Sequence, residues 1–206
     1  MSKILIPAKA ESKRCPHKNF VLLPFVNEWL KAEGRHGDAI VIYDSEEMRD
    51  LAASLGLSTF EEIRPHGGDN EAAADCAYCI GEEYFIRLPL TQPLRSHNLL
   101  ADMEAASKGR NLVVSAQIST DRRLFDIAPN GDFLLQSSER KGCMCEERLM
   151  VDGAAYLCKT EWARSVKTNH EFWSEPFVYA INHAPFLDID TQEDMQKFLN
   201  LLNIMR

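Results

Sequence analysis

The chain has 206 residues and a mass of 23.4 kDa, with 45% hydrophobic and 26% charged side chains. That is enough for one domain with a buried core and too apolar for a disordered chain. Twenty-three Lys and Arg against thirty-one Asp and Glu leave a formal charge of −8 at pH 7, which disfavours nucleic acid or an anionic membrane surface as a partner. No apolar run approaches the ~20 residues of a membrane span, and the N-terminus reads as a charge followed by a strand, without the long apolar stretch of an export signal. The expectation is a cytoplasmic protein forming a single domain over residues 1–206.

Taken in order, residues 4–7 form a short apolar run with strand character, followed by a polar stretch without periodicity over 8–19 and a helical segment through 32. Residues 39–43, Ala-Ile-Val-Ile-Tyr, predict a second buried strand rich in β-branched side chains. Ser45 is placed to cap a helix whose apolar positions Met48, Leu51, Ala52 and Leu55 recur at helical spacing up to Gly56. A short third strand over 57–60, a helix over 70–80, a fourth strand over 84–88, a helix over 97–108 and a fifth strand over 112–116 follow. Strands alternating with helices through short connections predict an α/β protein, a mostly parallel sheet covered on both faces.

The pattern changes over 118–150. Two short apolar pieces, 124–127 and 133–135, flank the turn signal Pro129-Asn130-Gly131-Asp132, which predicts a small antiparallel excursion serving as a lid or subunit contact. Strand character resumes at 154–158 and 177–181. The chain closes with a helix from Thr191, its buried stripe formed by Met195, Phe198, Leu199 and Leu202 and its start marked by Thr191 and Asp194 as a capping box.

Six cysteines without an export signal read as reduced thiols. Cys76 and Cys79 fall in the helix over 70–80, and the two-residue spacing of Cys143 and Cys145 lacks the usual zinc-knuckle pattern and any paired histidines. Cys15, set among cations, is expected to carry a lowered thiol pKa. The histidines are scattered and define no nucleophilic triad.

Two segments carry candidate chemistry. The stretch after the first strand holds Lys9, Lys13, Arg14 and Lys18 against the single acid Glu11. Loops leaving the carboxyl ends of strands bind ligands in α/β sheets, and a polyphosphate would suit these cations together with Ser12 and Asn19. The loop lacks the glycines of a P-loop, and a solvated charged turn remains the alternative. The second is Asp188-Ile189-Asp190, where alternate residues of an extended segment share a face, so both carboxylates can meet one hard cation such as Mg²⁺. The alternative is that these acids complement the dipole of the last helix. Asp44, ending the second strand, is either ligand-facing or a turn residue.

In combination these segments resemble a known family. Ile6-Pro7-Ala8-Lys9 with Ser12-Lys13-Arg14-Cys15-Pro16-His17-Lys18-Asn19 is similar to the N-terminal signature of the CMP-sugar synthetases, the acylneuraminate cytidylyltransferases and their relatives acting on other 2-keto-3-deoxy sugar acids. Four later segments fall in that family's order: Val41-Ile42-Tyr43-Asp44-Ser45, Thr91-Gln92-Pro93-Leu94-Arg95, Asp152-Gly153-Ala154-Ala155-Tyr156 and Asp188-Ile189-Asp190-Thr191-Gln192-Glu193-Asp194. The resemblance implies a nucleotide-diphospho-sugar transferase fold, a Rossmann-like three-layer α/β/α sandwich. It also implies transfer of CMP from CTP to an acidic sugar with release of pyrophosphate. On this basis Lys9, Ser12, Lys13 and Asn19 would bind the nucleotide, Lys18 would stabilise charge on the α-phosphate as the catalytic cation, Asp152 would meet the sugar, and Asp188 and Asp190 would bind Mg²⁺.

The chain departs from the family's pattern where Lys9 replaces Arg, Pro89 replaces Gln and Asp152 replaces Asn. Those changes motivate two alternatives, an enzyme of the same fold with another acceptor or nucleotide, and a noncatalytic nucleotide-binding relative. Members of the family are commonly dimers that use the antiparallel excursion, so a homodimer through 118–150 is expected.

Overall fold

The computed structural model describes residues 1–64, 68–119, 125–127, 133–135 and 148–205. Seven strands form one sheet: β1 (Lys3–Ala8), β2 (Ala39–Tyr43), β3 (Ser58–Glu61), β4 (Tyr84–Arg87), β5 (Leu112–Ser119), β8 (Arg148–Lys159) and β9 (Val178–Ile181). A separate antiparallel pair is made by β6 (Phe125–Ile127) and β7 (Phe133–Leu135). The helices are α1 (Lys18–Ala32), α2 (Glu46–Ser54), α3 (Asp69–Cys79), α4 (Leu99–Ser107), α5 (Thr160–Ser165), α6 (Asn169–Ser174) and α7 (Gln192–Met205).

The sheet order is β3-β2-β1-β4-β8-β5-β9. β1, β2, β3 and β4 are parallel neighbours, as are β5 and β9, whereas β8 runs antiparallel to both β4 and β5. Strands such as β1, with Ile4, Leu5 and Ile6 all fully buried, read as continuous apolar runs because both faces are covered. One face packs Ile4, Ile6, Val41 and Ile86 against Leu22, Leu23 and Val26 of α1, Met48 and Ala52 of α2, Leu100 and Met103 of α4, and Phe198 of α7. The other packs Leu5, Phe85, Leu112 and Val114 against Ala73, Cys76 and Ala77 of α3 and Phe172 of α6. This is the three-layer, mostly parallel architecture expected from the sequence.

Local signals placed the helix starts correctly. The Ser45 hydroxyl accepts from Met48 N–H at 3.2 Å, and Thr191 and Asp194 cap α7 reciprocally, through Thr191 N–H to Asp194 at 3.0 Å and Asp194 N–H to Thr191 at 3.2 Å. One expected core position fails: Leu199 is exposed, and the buried stripe of α7 runs through Met195, Phe198 and the half-buried Leu202.

β8 is longer than the predicted 154–158 and carries an irregularity. Val114 pairs with Tyr156 and Ala116 with Val151, so residues 152–155 face Ser115 alone. Gly153 supplies the φ of +72° this bulge requires, a conformation that strains any residue with a Cβ. The expected excursion contains the antiparallel pair β6–β7; residues 120–124, 128–132 and 136–147, with Cys143 and Cys145, lie outside the described residues. Among the described residues no helix is long and apolar enough to cross a membrane.

Candidate active site

The carboxyl end of β1 delivers residues 9–17 to one edge of the sheet before α1 begins. Three bonds shape this loop: Asn19 donates its amide to the Lys9 carbonyl at 2.8 Å, Ala10 N–H reaches the Asp44 carboxylate at 2.8 Å, and Cys15 N–H reaches the Ser12 hydroxyl at 3.4 Å. Asp44 therefore ties the β1 and β2 ends together. His17, at φ 60°, turns the chain into α1 without a side-chain cap. Lys13 and Arg14 are exposed, whereas Lys18 is buried.

Opposite the loop, the segment before α7 runs extended. Ile189 is fully buried and its N–H bonds the Thr91 carbonyl at 2.8 Å, which leaves Asp188 and Asp190 on the other side of the chain, as alternation requires. Lys18 joins the two halves: its ammonium donates to the Ile189 carbonyl at 2.9 Å and to Asp190 at 3.3 Å. Arg14 also pairs with Asp190, at 3.0 Å. Sequence positions 171 and more apart are thus closed into one charged cluster. The Asp188 carboxyl is held above its ordinary value, by desolvation first and by the Asp190 charge second, with Lys18 and a Thr91 hydrogen bond acting against them.

The effect of the Asp190 charge on Asp188 bears on Mg²⁺. Two carboxylates raise each other's cost of ionisation, and a hard divalent cation relieves it while preferring oxygen donors. Among the described residues no group of three or more His, Cys, Asp and Glu side chains forms a metal cage. The protein thus offers two carboxylates and leaves further positions to phosphate and water, a donor set that fits Mg²⁺.

Lys9 lies 3.7 Å from Glu62, just past the end of β3. The Glu62 carboxyl is pushed up, chiefly by burial, with the Asp44 and Asp69 charges adding and Lys9 opposing. Cys15 corrects an expectation. It is 1% exposed, and burial raises its thiol pKa more than the Lys18 charge lowers it, with Asp194 and Asp190 raising it further. Lys9, Arg14 and Lys18 are paired with carboxylates, and the thiol is a core residue.

Asp152, which the resemblance implies as a sugar contact, sits in a buried hydrogen-bond network. It is 2% exposed, and both oxygens are engaged: one accepts from Ser115 Oγ at 2.5 Å and Ala154 N–H at 3.0 Å, the other from Asn182 Nδ2 at 2.7 Å. Asn182 is itself fixed, its carbonyl accepting from Ser96 and Ala184 N–H at 2.9 and 3.2 Å. Nearby, Arg95 donates to the carbonyls of Ala154, Pro93 and Pro89. Burial pushes its guanidinium down to about 9, against the Asp152 charge. Asp152 and Arg95 together fasten β8 and β9 to the strand-end loop over 89–95.

Reasoning from the sequence did not single out Glu62, Ser115, Asn182 or Arg87. Arg87 carried a signal, a charge inside the apolar strand Tyr84-Phe85-Ile86-Arg87-Leu88. Ser115 and Asn182 carried none, since their partner is remote in sequence.

The architecture has well-matched counterparts among solved structures. A CMP:2-keto-3-deoxy-manno-octonic acid synthetase complexed with CTP aligns with a TM-score of 0.70 over 100% of this chain and 99% of that one, at 13% identity. HddC from Yersinia pseudotuberculosis gives 0.66 over 98% and 100%, at 16% identity. A cytidylyltransferase from Leptospira borgpetersenii serovar Hardjo-bovis gives 0.65 over 96% and 84%, at 18% identity. At these identities the likeness shows a shared fold, the seven-stranded, mostly parallel sheet covered on both faces. It does not single out the acylneuraminate branch suggested by the motifs. No protein-family model matches the chain, and no curated protein matches it.

Proposed function

We propose that the protein is a nucleotidyltransferase that moves CMP from CTP to the anomeric hydroxyl of a 2-keto-3-deoxy sugar acid, releasing pyrophosphate. The observation that carries this reading is the closure of the cationic loop onto the paired acids, through Lys18 on Ile189 and Asp190. Transfer of a nucleotidyl group depends on positioning and on compensating charge at phosphorus. Lys18, held by two oxygens on a buried stem, is placed to stabilise the α-phosphate. Lys9, Lys13, Ser12 and Asn19 line the approach of the triphosphate. Asp188 and Asp190 would hold Mg²⁺, which when bound neutralises phosphate charge and lowers the pKa of a coordinated hydroxyl. The sugar oxygen bonds to the α-phosphorus, the bond to the β-phosphate oxygen breaks, and the hydroxyl proton passes to solvent. Asp152 acts from behind the site by fixing its strand ends.

The same chemistry on another nucleotide is the second reading. HddC has also been seen with GMP-PN, and the Glu62 carboxylate, paired with Lys9 through one oxygen, supplies an acceptor of the kind the N–H groups of guanine require. Two copies are expected to pair through 118–150, where Ile118, Leu149 and Met150 are exposed.

Pyrophosphate release with Mg²⁺, using CTP or GTP across N-acetylneuraminate, legionaminate, pseudaminate and 3-deoxy-manno-octulosonate, tests both readings. Release with one sugar, lost in Lys18→Ala and shifted to higher Mg²⁺ demand in Asp190→Asn, is the expected result. Silence with bound nucleotide would return the protein to the noncatalytic alternative.

A further inference from the structure

At the carboxyl end of β4, on the α3 side of the sheet, lies a cavity of about 430 Å³. The first turn of α3, at Gly68, Asp69, Asn70 and Glu71, forms one wall, Thr168 and Asn169 form another, and Arg87 lines it from the strand end. Arg87 is 9% exposed and pairs in register with Tyr156 of β8. Its guanidinium lies 4.1 Å from the centroid of that tyrosine ring. Its Nε has no hydrogen-bond partner; the guanidinium is hydrogen-bonded to the Tyr156 side chain, a neutral group, and among the described residues no carboxylate forms an ion pair with it.

That is an unusual state for this side chain. A guanidinium keeps its charge at every working pH, and a buried charge without a counter-ion is strongly unfavourable. The other two buried arginines among the described residues are compensated, Arg35 by Asp38 and Glu104 and Arg95 by three backbone carbonyls. Arg87 closes β4 at the carboxyl end, the sheet edge to which parallel β1 delivers the cationic loop, with the cavity on the α3 face and α1 on the opposite one.

We propose that Arg87 receives the anionic group of the acceptor in this cavity and selects for it; the assignment rests on the nucleotidyltransferase reading above. The planar fork of Arg matches a carboxylate or a phosphate with two parallel bonds, and the free N–H groups of the first turn of α3 favour negative charge. Glu71 uses one carboxylate oxygen to cap Gly68 N–H at 3.1 Å, and the charges of Glu71 and Asp69 on this wall are what Arg87 must outweigh for an anion. Asp69, Asn70 and Asn169 supply acceptors and donors for hydroxyls. The ligand class is therefore a polyhydroxylated sugar bearing one acidic group.

The test is direct titration without nucleotide. N-acetylneuraminate, 3-deoxy-manno-octulosonate and glucose 1-phosphate are compared with their uncharged counterparts, the two methyl esters and glucose, on the parent protein, Arg87→Met and Arg87→Lys. One acidic probe is expected to bind, its neutral counterpart and Arg87→Met each costing about 30-fold in affinity, with Arg87→Lys between. Which probe binds separates a carboxylate from a phosphate. CTP affinity stays unchanged in both variants, and unliganded Arg87→Met melts no lower than the parent because it removes an uncompensated charge. Equal binding of acid and neutral probe, full affinity in Arg87→Met, failure of every probe to bind, or loss of folding in Arg87→Met would each overturn the assignment. Acid-dependent binding in a protein that neither binds CTP nor releases pyrophosphate would instead overturn the nucleotidyltransferase reading and leave the anion site standing.

Discussion

Replacing Asp152 by Asn changes one oxygen to an amide and isolates what the buried network does. The new side chain must direct its N–H₂ group either at Asn182 Nδ2 or at the Ser115 and Ala154 donors, because the two Asp152 oxygens serve those groups separately. Asn182 cannot turn to accommodate it, since its carbonyl already accepts from Ser96 and Ala184. A donor is thus left facing a donor in a dry interior, at about 1–3 kcal/mol, and the bonds that remain lose their charge assistance. Arg95 loses its compensating charge as well. A total near 3 kcal/mol is expected; at roughly 2–4 °C per kcal/mol for a chain of this size, the thermal midpoint falls by about 6–12 °C. The assay is thermal denaturation followed by circular dichroism, repeated on the exchanged pair Asp152→Asn with Asn182→Asp. In that pair residue 152 donates, residue 182 accepts and the net charge is restored, so most of the lost midpoint should return. An Asp152→Asn protein melting within about 2 °C of the parent, or an exchanged pair no better than the single variant, would refute the network and return Asp152 to a direct role at the acceptor.

Other outcomes are expected. Lys18→Ala leaves the Ile189 carbonyl without its donor and Asp190 with Arg14 alone; it should lower stability by about 2 kcal/mol in urea unfolding and CTP affinity by at least about tenfold, and an unchanged titration would remove Lys18 from the site. Glu62→Gln should act through pH. The folded carboxyl sits above its unfolded value, so its contribution is complete below about pH 4.3 and is lost as pH rises through the folded pKa. The variant-minus-parent difference in midpoint should therefore be more favourable at pH 7 than at pH 4, and the opposite trend would contradict the burial of this side chain. Sedimentation should show a dimer at micromolar concentration, and monomer alone would exclude pairing through 118–150.

The alternation of elements was legible because β1, β2, β4 and β5 are compact apolar runs and because Ser45 and Thr191 announce helices with short-range chemistry. α5 and α6 were not, since six-residue helices show too little of a period to read. The extent of β8 was hidden by Asp152 and Gly153, polar and flexible residues that interrupt its apolar pattern where the strand bulges. At the site, the sequence marked the cationic loop and the paired acids as two separate candidates, and the Lys18–Asp190 contact that joins them came only from the fold. The burial of Asp152 and Cys15 was likewise hidden, because a residue's exposure depends on partners from other strands. Asp152 is answered by Ser115 and Asn182, 37 and 30 positions away, and two of the cations near Cys15, Arg14 and Lys18, pair with Asp190.

The chain leaves the sheet at Ser119 and re-enters it at Arg148, and those two residues face each other as the last pair of the β5–β8 ladder. A segment that departs and returns at a single rung behaves as a replaceable cassette. Doubling or halving its length alters the closure entropy by only about 0.6 kcal/mol, and the register of the seven strands beneath is untouched. Lineages sharing this sheet could thus exchange whatever that segment recognises without renegotiating the geometry at Lys18 and the paired acids. Variation in length and sequence should concentrate between those two residues, with the rung itself kept.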